Sequence, residues 1–552
     1  MSTNWRNRLK VGMLGTALLV LSTANYAAEP LKEAVPNMSE KAPTTLLTAS
    51  LLGGAADDEI VSTAVTSAGT VLLAGNTPGM KLEGAAETVL GPVAVEKDAT
   101  PPKDAKNWVN PNTYGFLVAL TVDAKKLEDA KYTGGQKITT VKSFSHFSFG
   151  IATVKKISLD EKDNIYLLGN APAEVELSNG VKGKGTFLLQ LTPDGTKITK
   201  AIFKDGIGDY GFDSNGDIVL LVGGPAIVRL ADDWKTEKWT AKWKAFGGNR
   251  PGGIAVDAKT GTTTVIGYGM TKTGFEPYKD PFGYGFDRDG KQLWMVWNPD
   301  PRWEASKDNY IKGGGTDPKG GNGLMADTTG KEAYVGLDGK VYFNYYSDGG
   351  NTVCMYDPQD VSLKMPKEVY AGVLQNGPGY GFHGASKTSV VFRIDALTGK
   401  VEKGTWLSAW KGGRAGYLNL SGVAEADKGT VLVTGASAEI GPIKLPWLNI
   451  EKSGNMGGNF LAIFDKDFKL LQAGTFPTAT INAVATNKEY IVVAGSANIP
   501  PAPDPLKPDA VIEKASVYNP LQGDYAGGND GYFAIFKVKP EPKVDPAVVA
   551  GK

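Results

Sequence analysis

One cysteine and two histidines in 552 residues leave little for metal or redox chemistry to use. A single thiol excludes a disulfide scaffold and every multi-cysteine zinc or iron–sulfur site. Charge of one sign is also absent. Lys and Arg total 59 and so do Asp and Glu, whereas a nucleic-acid binder carries a basic excess or stripe. After the first residues, no apolar run approaches the roughly 18 residues that a membrane-spanning helix needs. No segment shows the periodicity of a long amphipathic helix, and no glycine-rich phosphate loop follows a strand and opens a helix. Neither metal nor cofactor is expected, no catalytic residue declares itself, and the chain is expected to be monomeric. What is abundant is glycine, 70 residues, about twice the usual share.

The N-terminus has a leader's three parts. Arg6, Arg8 and Lys10 precede the apolar run 11–21, and small residues follow around Ala24 and Ala28. That order reads as a secretory signal peptide over 1–24, with cleavage after Ala28 fitting equally well. The run is too short to cross about 30 Å of hydrocarbon at 1.5 Å per residue. No Cys stands at either cleavage point to take a lipid. A periplasmic or extracellular location without membrane insertion is therefore expected. Residues 29–44 read as a linker and 541–552 as a disordered, Pro- and Lys-containing tail.

Between them lies a repeat. Each unit has a strand, a polar turn and a second strand, which ends at glycine in all but the fifth: 62–75, 154–169, 210–223, 253–267, 332–343, 421–435 and 481–495. A third strand follows each pair, at 116–121, 187–192, 226–230, 282–287, 390–395, 460–465 and 532–538. An Asp-rich turn then leads to a fourth, as in 293–297 and 470–476. Paired glycines read as fourth-strand ends at 247–248 and 412–413. Runs of β-branched and aromatic residues bounded by Asn, Asp and Gly are strands, and four-stranded units repeated radially make a β-propeller. The expected fold is all-β, a propeller of four-stranded antiparallel blades over residues 45–540. Seven blades fit best, with six or eight left open because the third and fifth units match poorly. The last unit lacks a fourth strand, and residues 45–54 supply one from the other end, covering an edge that would otherwise invite pairing.

The run 51–59 (LLGGAADDE) with 63–77 (TAVTSAGTVLLAGNT) resembles the SBBP repeat of secreted bacterial proteins, and 460–471 (FLAIFDKDFKLL) is similar to its second half. The likeness extends over residues 46–77, 251–267 and 417–476. It implies a seven-bladed propeller in the envelope or outside the cell, and it implies no catalytic residues.

The long insertions fall between second and third strands, at 78–114, 270–281, 346–388, 438–458 and 498–527, with one more, 298–320, between the fourth and fifth units. In an up-and-down blade these loops and the blade-to-blade connections emerge on one face. Loops on a rigid scaffold are where recognition concentrates. Candidate ligand-binding residues on that face are Trp108, His146, Arg250, Trp303, Tyr380, His383, Arg414 and Trp447. Further loop aromatics there include Tyr114, Tyr345, Tyr346, Tyr518 and Tyr525. Asp58, Glu59, Asp205, Asp209, Arg302 and the two arginines 250 and 414 are placed to ring the channel. Aromatic faces stack on sugars or anchor protein interfaces. Asp213, Asn215 and Asp217 have the alternation of a calcium loop but read equally well as a hairpin turn. The expected function is an exported binding module for a glycan or an envelope protein. A polysaccharide hydrolase or lyase and a structural envelope or surface-layer component are the alternatives.

Overall fold

The computed structural model describes residues 43–82, 85–91, 110–128, 138–148, 150–223, 226–243, 250–270, 279–297, 328–348, 357–359, 363, 365–366, 368–369, 387–407, 409–411, 414–416, 418–437, 443–445, 450–452, 458–476, 478–500, 514–515 and 517–539. These form seven antiparallel blades in a ring, a seven-bladed β-propeller. Blade one holds Glu59–Val65, Val71–Thr77, Tyr114–Val122 and Thr139–His146. Blade two holds Thr153–Leu159, Ile165–Glu176, Lys182–Leu191 and Ile198–Phe203. Blade three holds Asp209–Phe212, Ile218–Val222, Ala226–Leu230 and Glu237–Lys242. Blade four holds Arg250–Val256, Thr263–Met270, Lys279–Phe286 and Gln292–Val296. Blade five holds Thr328–Val335, Val341–Asp348, Lys387–Ile394 and Val401–Leu407. Blade six holds Asn419–Glu425, Val431–Ser437, Gly458–Phe464 and Leu470–Phe476. Blade seven joins Ala479–Thr486, Tyr490–Ala497 and Asp530–Val538 to the N-terminal strand Thr44–Leu52. One turn, Lys125–Glu128, is the only helix among the described residues.

Burial follows from the architecture. Second strands such as Val71–Thr77 are buried throughout, because they pack against a neighbouring blade on both faces. Outer strands such as Leu470–Phe476 are mostly half-buried. Among the described residues the apolar core forms seven clusters, one at each blade boundary.

Most second strands run past the glycine that the sequence places at their end, and that glycine has a steric cause. A Cβ on Gly75, Gly169, Gly267, Gly435 or Gly495 would stand 1.8 to 2.6 Å from a carbonyl oxygen near the start of the same blade's first strand. Each of these glycines also pairs with an aromatic residue of the third strand: Phe116, Phe187, Phe282, Phe460 and Tyr532. The ring covers the bare backbone. Blade five reverses the arrangement, with Tyr345 on the second strand facing Gly330 on the first, and blade three pairs Val222 with Ala226. These are the two units whose sequences match the repeat poorly.

Two details differ from the sequence reading. The fourth strands of blades three and five end at Lys242 and Leu407, before the paired glycines. Residues Ala409–Lys411 and Arg414–Gly416 instead pair with each other in a small accessory sheet. Residues 247–248 and 412–413 lie outside the described set.

Candidate functional site

Among the described residues, the blade-to-blade connections repeatedly meet the insertions between second and third strands on one face. Trp410, in the connection from blade five to six, pairs with Lys444 in the blade-six insertion. Asp58, between blades seven and one, donates its backbone N–H to Asn529 of the blade-seven insertion at 2.6 Å. Ser148, between blades one and two, donates its hydroxyl to Gly91 of the blade-one insertion at 3.3 Å. The opposite face is short turns tied to one another. Ser67 donates twice to Asp163, Asn487 donates to Thr66, and Asp338 donates its N–H to the buried Glu425 carboxylate.

The insertions do more than decorate the face. Ala86–Val89 turns back and pairs in parallel with Thr139–His146, adding a fifth strand to the rim of blade one. Tyr518 and Gln522 bridge the outer side of the N-terminal strand at Ala49 and Leu51. Val369 accepts the backbone N–H of Gly404, on the outer strand of blade five, at 2.8 Å. Three insertions thus cover exposed strand edges, which are pairing liabilities when bare.

Of the eight candidate residues, Trp108, Trp303, Tyr380, His383 and Trp447 lie outside the described residues. Arg250 is exposed at the start of blade four's first strand, and Arg414 lies in the accessory sheet. His146 ends the outer strand of blade one, stacked on Phe144 with ring centroids 4.9 Å apart. Its Nε2 faces Glu87 Oε1 and its Nδ1 faces the Phe147 carbonyl oxygen, each at 2.8 Å. A doubly protonated ring satisfies both acceptors. The histidine therefore clamps the added rim strand. Some loop aromatics are strand residues turned inward: Tyr114 and Tyr345 are buried, and the Tyr114 hydroxyl donates to the Met80 carbonyl at 3.1 Å. Their apolar bodies are core material, which a sequence of dense aromatic strands does not separate from a loop surface.

At the ring closure a Cβ on Gly53 would lie 2.3 Å from Asp530 Oδ1 and 2.8 Å from Asp58 Oδ2, so two buried carboxyls flank one glycine. Among the described residues, neither Asp58 Oδ1 nor Asp530 Oδ1 meets a hydrogen-bond donor. Burial pushes Asp58 up to about 6, with the charges of Asp530 and Asp57 adding to the effect, and burial raises Asp530 as well. The Asp213–Asp217 turn holds a guanidinium. Arg229, fully buried, binds Asp213 through Nη2 and Asp217 through Nε at 2.9 Å, and reaches the Gly261 carbonyl of blade four at 3.1 Å. Lys238 adds a contact to Asp217 at 2.7 Å.

Down the axis runs a cavity of about 1350 Å³, lined by the first strands of all seven blades. Within it Lys156 Nζ of blade two donates to Asp209 Oδ1 of blade three at 2.7 Å. Asp209 also accepts the N–H groups of Tyr210 and Ile254 at 2.9 and 3.0 Å. Glu332 of blade five lines the same cavity. Burial pushes its carboxyl up to about 7, the Lys156 charge opposing and the Asp209 charge adding. Asp209 was legible as a channel residue. Lys156, Glu332 and Arg229 were not, because a single charge in a strand reads as a solvated face.

No protein-family model matches the chain, and no curated protein matches it. Among solved structures it is similar to Raptor from Chaetomium thermophilum, with TM-score 0.39 and 10% identity, over 90% of this chain and 29% of that one. It is also similar to the WD40 β-propeller domain of Doa1, with TM-score 0.38 and 10% identity, over 89% and 96%. A third likeness, to the C-terminal WD40 domain of Sif2, has TM-score 0.37 and 8% identity, over 90% and 99%. The blade count rests on the hydrogen-bonded sheets themselves. Among the described residues no helix is long and apolar enough to cross a membrane.

Proposed function

We propose that the protein is an exported, monomeric binding module that engages its partner through the loop-bearing face. The observation that carries this reading is the joining of connections and insertions on that face, at Trp410–Lys444, Asp58–Asn529 and Ser148–Gly91. A platform cross-linked in this way holds its loops in fixed relation, which lowers the ordering cost of binding. The other face spends its polar groups on turn-to-turn contacts. A neutral chain suits an uncharged or weakly charged partner, and the leading candidates are a bacterial glycan and another envelope protein. Export is supported by the basic, apolar and small-residue order of the first 28 positions and by the SBBP-like segments.

Two measurements test the proposal. Fractionation of the native bacterial cell should find a shortened chain, lacking about 24 to 28 residues, in the periplasm or medium. A glycan array and an envelope-extract pull-down with that chain should retain a partner. A full-length chain in the cytoplasm would contradict export, and an empty array and pull-down would contradict the binding role.

A further inference from the structure

We infer that the central channel binds a small carboxylate, held by Lys156 and Glu332. The inference stands apart from the loop-face reading. It starts from a repeated irregularity: six of the seven first strands carry a β-bulge at the same register, at Val61, Lys155, Gly252, Lys331, Ser421 and Asn482. Bulges re-aim side chains. The residue after each bulge, with Asp209 at the matching register of blade three, defines one level of the ring. Lys156, Asp209 and Glu332 are the charged members of that level. Ser62, Gly253, Gly422 and Ala483 complete it, so all of its charge falls on three blades.

The chemistry of the three is complementary. Asp209 accepts from three donors, one of them Lys156. Among the described residues Lys156 gives one of its three hydrogens to Asp209, leaving two for the cavity. Glu332 accepts a backbone N–H from Val423, and its burial favours the protonated carboxyl, a donor, near neutral pH. Its cross-strand partner Asn344 lines the same cavity and is buried. A ligand carboxylate fits the two donors.

The groups facing Glu332 set the sign of its pH response. Lys156 on blade two and Asp209 on blade three act on it directly. Lys331, beside it, is engaged by Asn419 of blade six and lies 5.0 Å from the Tyr346 ring centroid. Tyr334, two residues along, has its hydroxyl pushed up by burial and stays neutral. Arg250 of blade four is exposed. An ionised Glu332 repels a carboxylate ligand, so binding tightens as the pH falls through about 7.

The test is calorimetric titration of the full chain with D-galacturonate, with D-galactose as its uncharged counterpart. Galacturonate should bind roughly 30-fold tighter at pH ~5.5 than at pH ~8.5, and galactose should bind far more weakly. Glu332→Gln should bind tightly at both pH values, and Lys156→Met should weaken binding at both. Ala483→Trp puts bulk into the channel at the same level without replacing either charge, and should abolish binding even if Lys156→Met fails to fold. Absence of galacturonate binding, equal binding of galactose, or a pH response that survives Glu332→Gln would overturn the inference.

Discussion

Leu46, near the start of the described chain, stands directly opposite Phe536 near its end, so the two termini close one blade. The N-terminal strand also gives Leu46, Ala49 and Leu51 to the cluster between blades six and seven, and Leu47 and Leu52 to the one between seven and one. Removing residues 44–52 should therefore cost on the order of 6–12 kcal/mol, at about 1.5–3 kcal/mol for each of four leucines. The expected result is aggregation or a markedly lower melting temperature, partly restored by a synthetic peptide of the same residues. A truncated protein that melts like the intact one would show that the ring closes another way.

Asp58 makes the closure sensitive to pH. Its carboxyl is pushed up to about 6 in the folded protein, and Asp530 is raised beside it. The native state therefore holds protons that the unfolded chain releases. Stability from this pair is full below about pH 4 and is lost as the pH rises through about 6. Asp58→Asn keeps an acceptor for the Gly54 N–H and offers a donor toward Asp530. Urea midpoints should rise by the equivalent of about 3 kcal/mol at pH ~8 in this variant, from the shift at about 1.4 kcal/mol per unit, and change little at pH ~4. An unchanged midpoint at pH ~8 would remove the closure from the protein's pH response.

Arg229 carries a second stability prediction. It is enclosed with Asp213 and Asp217, so Arg229→Met takes the buried cation from both and leaves Asp217 with Lys238 and Asp213 with Arg288 Nε at 3.6 Å. Breaking such a network from one side costs about 3–5 kcal/mol. Adding Asp213→Asn and Asp217→Asn to Arg229→Met should recover much of that loss in chemical denaturation. A single variant as stable as the wild type would mean that the carboxylates find other partners.

Gly169 tests the steric origin of the repeat. A Cβ there would stand 2.4 Å from the Phe187 ring and 2.5 Å from the Thr153 carbonyl oxygen. Gly169→Ala should destabilise by about 1–3 kcal/mol through overpacking, and a Phe187→Leu change should relieve part of it. Additive losses from the two changes would contradict the proposed contact.

The blades were legible because the signal is local. Ala226–Leu230 and Leu470–Phe476 have the bounds that their composition and flanking Asp and Gly residues indicate. The N-terminal closure was legible because one unit lacked a strand and another strand had no unit. The rim strand Ala86–Val89 was not, since edge pairing uses backbone hydrogen bonds and leaves no side-chain signature. Lys156 and Glu332 were hidden for a different reason: only the bulge register places them at one level of the ring, and that register is set by backbone pairing. His146 was legible as a residue near the loop face, but its engagement by Glu87 depends on an insertion folding back from far along the chain.

The central claim is that recognition belongs to the loop-bearing face. It is tested most directly by measuring partner capture, on glycan array and in envelope pull-down, for two variants beside the wild type. One replaces Trp108, Tyr380 and Trp447, which the sequence assigns to the insertions, with Ala. The other replaces Asp163, Asp338 and Lys488 with Ala in the short turns. The account predicts that the first variant loses the partner and the second keeps it, each change being read against an unchanged far-ultraviolet spectrum. Capture that survives the loop changes and disappears with the turn changes would contradict it.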